Sequence, residues 1–393
     1  MVILMSRWVR LSSVAALSLQ IYSQALRKGK PMSPESASFL PRSLDDVQRN
    51  YLLTDLLQGV SRSFYLTLRV LPAQLREPIS VAYLLARAAD TIADTEVVSA
   101  RKRGASLQHL RTQLQLDVPS HTVLERLQVG FTGQLDHAFE NELLAMLLPL
   151  FELLARQTVP DRMMIRKVVL TLVDGMLSDL ESFPVAKKSG DVTALERGDQ
   201  LDRYTYLVAG CVGEFWTDIS IAHIDALQCW QPSQERYSQW GIRFGKGLQL
   251  TNILRDVPRD LCIGRCYLPQ SWLDEVALTP NDLMKVTNSA TARPLLIKGI
   301  RQALEHFTAA EHYVVALPRR CVRLRLAALW PMLIGLKTLA QLSQQSRWLD
   351  ATVVCKVERQ WVYRMMLLSC AALFSNLAVK WWCARIRKAV SLT

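Results

Sequence analysis

The chain has 393 residues, half of them hydrophobic, and its 47 Lys and Arg against 35 Asp and Glu give a formal net charge of +12. That is enough apolar material for a large core, while eight cysteines in such a length, without a paired C-x-x-C pattern, exclude a disulfide scaffold and fit a reducing, cytoplasmic setting. The positive balance suits a diphosphate, an anionic membrane surface or a nucleic acid; the last is set aside because the basic residues are scattered and no zinc-finger, helix-turn-helix or RNA-binding signature occurs.

Residues 1–42 read as an N-terminal extension. Arg7, Arg10, Arg27, Lys28 and Lys30 precede the first acid, Glu35, and residues 11–26 carry no charge. The pattern resembles a weak targeting segment, but serines and glutamines dilute it and it falls short of the roughly 20 apolar residues that span a bilayer. The alternatives are an extension without a targeting role, or a start assigned too early with Met32 as the true one.

From residue 43 to 360 no long Ser/Gly/Pro-rich linker marks a boundary, so one catalytic domain is expected. Leu144, Met146, Leu147, Leu150, Phe151 and Leu154 recur at helical spacing, as do Val168, Leu172, Met176 and Leu180. No series of alternating strands with hairpin turns is present. The class is therefore all-α, with loops expected near residues 184–198, 230–233 and 288–293.

Two segments carry chemistry. In the first, Tyr83, Arg87, Asp90 and Asp94 fall at offsets of four, seven and eleven, which is one helical face. Two carboxylates a turn apart supply hard oxygens that can share magnesium with a phosphate; the alternative is an amphipathic helix whose aspartates face water. In the second, Gln249, Asn252, Asp256 and Asp260 fall at offsets of three, seven and eleven. Two helices that each offer an aspartate pair can converge across a bundle on one metal–diphosphate cluster. Pro258 predicts a kink or an end, aiming Asp260 inward or placing it on the following loop.

Residues 361–393 are expected to form a C-terminal helix. An uncharged run at 365–379 is followed by Lys380, Trp381, Trp382, Arg385, Arg387 and Lys388. Two readings stand: an interfacial helix lying on anionic lipid, or a terminal helix packed on the core whose basic end complements its dipole.

Four blocks, in order, resemble the signature segments of the squalene and phytoene synthase family: Ser61-Arg62-Ser63-Phe64-Tyr65, the Tyr83 to Asp94 segment, Tyr204-Thr-Tyr-Leu-Val-Ala-Gly-Cys-Val-Gly213, and Gln249 to Asp256 continuing through Gly264-Arg265-Cys-Tyr-Leu-Pro269. The resemblance runs from about residue 53 to the C-terminus. It implies a single-domain isoprenoid synthase helical bundle around a central cavity, in which Asp90, Asp94, Asp256 and Asp260 hold magnesium against the diphosphates. Ser61, Arg62, Ser63, Arg87, Gln249, Arg255 and Arg265 match phosphate-binding or pocket-shaping positions, a task suited to guanidinium forks and hydroxyls. Asn252 is placed with the cofactor-binding residues. Tyr204 matches a tyrosine that handles protons around the cyclopropyl intermediate, Tyr83 a second polar residue near the reacting carbons, and Phe64 an aromatic wall beside the carbocation.

Many relatives carry a further acid inside each motif, where this chain has Ala93 and Arg259; the metal cluster is expected to be less negative. Residues 328–340 and 354–359 resemble segments of squalene synthases that phytoene synthases generally lack, and the second implies that Lys356 and Arg359 meet the phosphates of NADPH. No Gly-rich dinucleotide fingerprint accompanies them. The resemblance thus points to condensation of two farnesyl diphosphates to presqualene diphosphate and reduction to squalene, and the C-terminal residues to a peripheral place on a membrane. Phytoene or dehydrosqualene synthesis from a prenyl diphosphate without a reductant, arrest at presqualene diphosphate, and a catalytically silent assembly subunit are the alternatives.

Overall fold

The structure, a computed structural model, describes residues 44–61, 64–95, 97–131, 137–183 and 191–392. The readings of residues 1–42, of Arg62 and Ser63, and of the Phe64 side chain lie outside the described residues. Every residue from Pro78 to Ala93 is buried in α1 (Ala73–Asp94), and a helix enclosed all round belongs in the middle of a core. About it stand α2 (Val159–Ser182), α3 (Cys211–His223), α4 (Gln234–Cys262), α5 (Arg293–Ala316) and α6 (Val322–Ser343), with shorter helices between them. α2 packs on α1, α3 touches both α2 and α4, and α4 lies against α3, α5 and α6. One apolar cluster runs through all of them, so the expected single-domain, all-α bundle is the observed fold.

Local chemistry sets the elements. α2 buries Val168, Leu172 and Met176, and Thr158 caps its start by accepting from the Asp161 N–H at 3.3 Å. The stripe at 144–154 is split at Met146 into helices Ala138–Ala145 and Leu147–Ala155. Pro149 accounts for the break, because it has no N–H to offer the Ala145 carbonyl. Pro258, by contrast, does not end its helix: α4 runs on to Cys262 and keeps Asp260 on the helix. The carbonyl that Pro258 leaves without a helical donor is that of Leu254, and the Trp348 indole N–H donates to it at 2.8 Å. A side chain from a distant segment thus satisfies the group that makes proline disruptive.

Two corrections concern loops. Residues 184–190 of the first expected loop lie outside the described residues, and the rest of it holds a strand, β1 (Thr193–Leu195), paired in parallel with β2 (Arg265–Pro269); three residues are too few to show alternation. The 230–233 segment belongs to a 3-10 helix, Asp225–Ser233, and 288–293 spans the end of another, Val286–Ser289, and the start of α5. Gly264 (φ 79°) turns the chain from α4 into β2.

At the α3–α4 crossing a Cβ on Gly213 would stand 1.9 Å from the Gly241 carbonyl oxygen. The two backbones touch with no side chain between them. The C-terminal region forms two helices, α7 (Arg359–Ala372) and α8 (Asn376–Lys388). Both pack on α6, where the Trp330 indole donates to Ser369 of α7; α8 also meets α5, where Arg387 pairs with Glu311. α7 starts two residues before residue 361, and the uncharged run is broken at Leu373 to Ser375.

Candidate active site

One cavity gathers the chemistry-bearing elements. α1 contributes Asp90 and Asp94, and α4 contributes Gln249, Asn252, Arg255, Asp256 and Asp260. The water-facing alternative fails for three of the four aspartates: Asp90, Asp256 and Asp260 are 6%, 6% and 4% exposed, and only Asp94, at the end of α1, is open to solvent. The Gln249 side-chain oxygen is buried in the wall and, among the described residues, has no hydrogen-bond partner.

Asp90 and Asp256 each carry a cation. Arg87 bonds to Asp90, one turn away, and to Glu140 at 2.5 Å. Burial pulls the Arg87 guanidinium down, but Asp90, Tyr83 and Glu140 outweigh it and hold its pKa above the ordinary arginine value. Arg255 grips Asp256 through Nε at 2.9 Å and a terminal nitrogen at 2.5 Å. Among the described residues, no three His, Cys, Asp or Glu side chains surround a common point at ligating range.

The opposite wall comes from α2, the Gly198–Thr205 helix and β2. Tyr204 stands just before a π-helical turn, Tyr206–Gly210, that leads into α3. Its ring stacks on Tyr267 with centroids 4.8 Å apart. Along β2 every second side chain faces the same way, so Arg265 and Tyr267 both reach Asp179 of α2, at 2.6 and 2.5 Å. Burial lowers the Arg265 pKa, yet Asp179 and Tyr267 raise it further, so the net shift is upward.

Residues 57–360 match the family model for squalene/phytoene synthase. The chain belongs to the squalene/phytoene synthase family. It is 31% identical over 285 residues to the bifunctional lycopene cyclase/phytoene synthase of Gibberella fujikuroi, covering 71% of this chain and 46% of that one. Against the presqualene diphosphate synthase of Rhodopseudomonas palustris it is 28% identical over 269 residues, covering 68% and 80%. The chain spans about half the length of the first bifunctional relatives it matches. The solved complex of TcSQS with BPH1237 shares the fold, with a TM-score of 0.65, 19% identity, and coverage of 88% of this chain and 99% of that one.

Within this member of the squalene/phytoene synthase family, several expected site residues stand elsewhere. Tyr83 is fully buried and does not line the cavity; its hydroxyl donates to the Val60 carbonyl at 3.1 Å. Arg87 sits behind Asp90 and not in the wall. Ser61 ends the Leu57–Ser61 helix with its hydroxyl buried and, among the described residues, without a hydrogen-bond partner. Lys356 lines a second cleft beside the first, but Arg359 does not, because it already begins α7. The basic residues that join Lys356 there are Arg255 and Arg259. Cys355 lies in the same wall, its thiol pushed up to about 11 mainly by burial, so the cleft's charge comes from its cations and Asp256.

Sequence reasoning assigned no role to Asp179, Tyr267 or the Arg259 cleft. Tyr267 was legible as the alternate neighbour of Arg265. Asp179 had no local signal, since its partners lie 86 and 88 residues away.

Proposed function

We propose that the protein is a squalene synthase, joining two farnesyl diphosphates head to head and reducing the presqualene diphosphate formed to squalene. The observation that carries the reading is a polar-to-apolar gradient along α4. Asp256, Asn252 and Gln249 border the carboxylate-lined cavity, and toward the start of the helix Leu248, Gly245, Phe244 and Gly241 line an apolar cleft with Trp216 and Tyr313. About 20 Å of helix at 1.5 Å per residue thus offers a charged end and a hydrocarbon end to a substrate that has both. Apolar walls also exclude water, which would quench an allylic cation.

The donor set fits magnesium in one way. With the aspartates arranged in pairs, each ion would take one or two carboxylates and complete its octahedron with diphosphate oxygens and water, the common mode for this metal. Asp90 and Asp94 would serve one side, Asp256 and Asp260 the other; Arg265 would help bind the diphosphate, and the buried Gln249 oxygen would order water or a substrate group. Magnesium would supply Lewis-acid stabilisation of the leaving diphosphate. For a reductant, the cleft of Arg255, Arg259 and Lys356 suits the phosphates of NADPH, whose chemistry there would be hydride donation.

We further propose that α7 and α8 rest on an anionic membrane. Tyr363, Leu367, Phe374, Leu377 and Trp381 are exposed there, Arg364, Lys380 and Arg385 stand among them, and no acid follows Glu358. A hydrocarbon product is itself suited to leaving into lipid.

The test is product analysis by mass spectrometry after incubation with farnesyl or geranylgeranyl diphosphate, with and without magnesium and NADPH. Squalene should form from farnesyl diphosphate only when both are present, and presqualene diphosphate should accumulate without the reductant. The same hydrocarbon with and without NADPH would replace this reading with a phytoene-type synthase. Arrest at presqualene diphosphate in every condition is the second reading, favoured by the match over 80% of the Rhodopseudomonas synthase of that product.

A further inference from the structure

The wall facing the aspartates contains a chain of hydroxyls with a defined direction. The Tyr204 hydroxyl donates to the Tyr267 hydroxyl at 3.4 Å, and the Tyr267 hydroxyl donates to Asp179 Oδ1 at 2.5 Å. Arg265 holds the other carboxylate oxygen at 2.6 Å. The ring of Phe183 meets Tyr267 edge-on at 4.9 Å, which with the Tyr204 stack fixes Tyr267 on two sides. Tyr204, Tyr267, Asp179 and Arg265 all border the same cavity.

We infer that Tyr267 and Asp179 are a proton outlet for Tyr204, carrying the proton shed during carbon–carbon bond formation out of the cavity and onto the Asp179 carboxylate. The inference rests on the head-to-head condensation proposed above. In that step one substrate loses diphosphate to give an allylic cation, which takes the π electrons of the second substrate's double bond. Closing the cyclopropane then uses the electron pair of a C–H bond, and the proton must leave. Tyr204 Oη accepts it as its own proton passes to Tyr267 Oη, and the proton of Tyr267 passes to Asp179 Oδ1. One C–H bond is lost, one C–C bond and one carboxylic acid are gained, and the cation and the carboxylate cancel. No oxidant or reductant enters.

The electrostatics agree with a conduit at Tyr267. Burial above all, then Tyr204 and Asp179, push the Tyr267 pKa well above 10, so this tyrosine does not rest as an anion and only relays. At the end of the chain, Arg265 donates to the other oxygen of the Asp179 carboxylate. A carboxylate suffices as acceptor, because a carbon beside a cationic centre is a very strong acid, and the proton can afterwards be given up to solvent.

The experiment uses the full chain with magnesium and farnesyl diphosphate, comparing wild type with Asp179→Asn, Tyr267→Phe and the double variant. Presqualene diphosphate is followed by rapid quench in a single turnover, in H2O and D2O, beside melting temperature and the affinity for a non-reactive thiodiphosphate analogue. Each single variant should slow formation by roughly a hundredfold, the scale of a lost proton-transfer route, with melting and analogue affinity close to wild type. The double variant should be no slower than the singles, since both break one chain, and the solvent isotope effect of wild type should shrink in all three. Effects that multiply, or wild-type rates in both singles, overturn the outlet. If Asp179→Asn lowers melting along with rate by releasing Arg265, Tyr267→Phe decides: a normal rate there overturns the inference. Wild type that forms no cyclopropyl product overturns the proposed reaction, and the outlet with it; wild-type product with normal variants overturns the outlet alone.

Discussion

The guanidinium of Arg87 holds Asp90 on one side and Glu140 on the other, and all three side chains are nearly dry. Arg87→Met keeps much of the volume and leaves two buried carboxylates without their cation. Removing one member of a buried ion pair costs about 3–5 kcal/mol, so the variant should lose that much stability to urea in magnesium-free buffer. Magnesium with inorganic diphosphate should return part of the loss, because Asp90 then regains a positive neighbour. Wild-type stability in the variant would show that Arg87 is idle in the fold. Spacing made Asp90, Asp94, Asp256 and Asp260 legible, since offsets of four on a helix are facts of geometry. Spacing could not tell which side of a buried helix meets the cavity: by offset Tyr83 and Arg87 share a face with Asp90, yet neither lines the cavity, Tyr83 donating to Val60 and Arg87 pairing with both Asp90 and Glu140. Arg259 replaces an acid of the metal motif; in three dimensions it lines a cleft with Lys356, which lies far along the chain.

The backbone contact between α3 and α4 explains why the block that starts at Tyr204 ends in glycine. Gly213→Ala would drive a methyl into the Gly241 carbonyl oxygen, and neither helix backbone can yield as a side chain would. The expected loss is about 1–3 kcal/mol or more, seen as a lower melting temperature, whereas Gly104→Ala, with open space around it, should be neutral or slightly stabilising. Equal melting of the two variants would refute the contact. Most helices were readable because their apolar stripes recur at the helical period. The breaks were less so: Pro149 ends a turn and Pro258 does not, and the difference is the Trp348 indole, a partner that local sequence cannot supply. The short pairing of β1 with β2 was equally hidden, yet it is what aims Arg265 and Tyr267 at Asp179.

Across the whole molecule, charge and apolar surface are unevenly placed, and the face of α7 and α8 concentrates both. The full chain should float with vesicles containing phosphatidylserine, less so at high salt and least with neutral vesicles. Leu367→Glu, Leu377→Glu and Trp381→Glu combined should weaken flotation by on the order of a thousandfold or more, given roughly 1.5–3 kcal/mol for each of three large apolar side chains buried, without changing melting. Unchanged flotation would point to a different surface. α6 is the one helix among the described residues long and apolar enough to span a bilayer, but most of it is buried in the core. From the sequence, basic and apolar residues at the C-terminus were plain; that one face packs on α6 while the other is bare needed the fold. A further consequence lies in Arg255 and Asp256, which border both the carboxylate cavity and the cleft of Lys356. Because one ion pair is a wall of two rooms, charge entering either room acts on the same two side chains. Thermodynamic reciprocity then requires that whatever factor an anion in the outer cleft applies to the affinity of the inner cavity, the inner ligand applies to the outer anion. Titrating each ligand in the presence of the other would measure a single coupling constant from both directions, and its sign would tell whether filling one room helps to fill the other or to empty it.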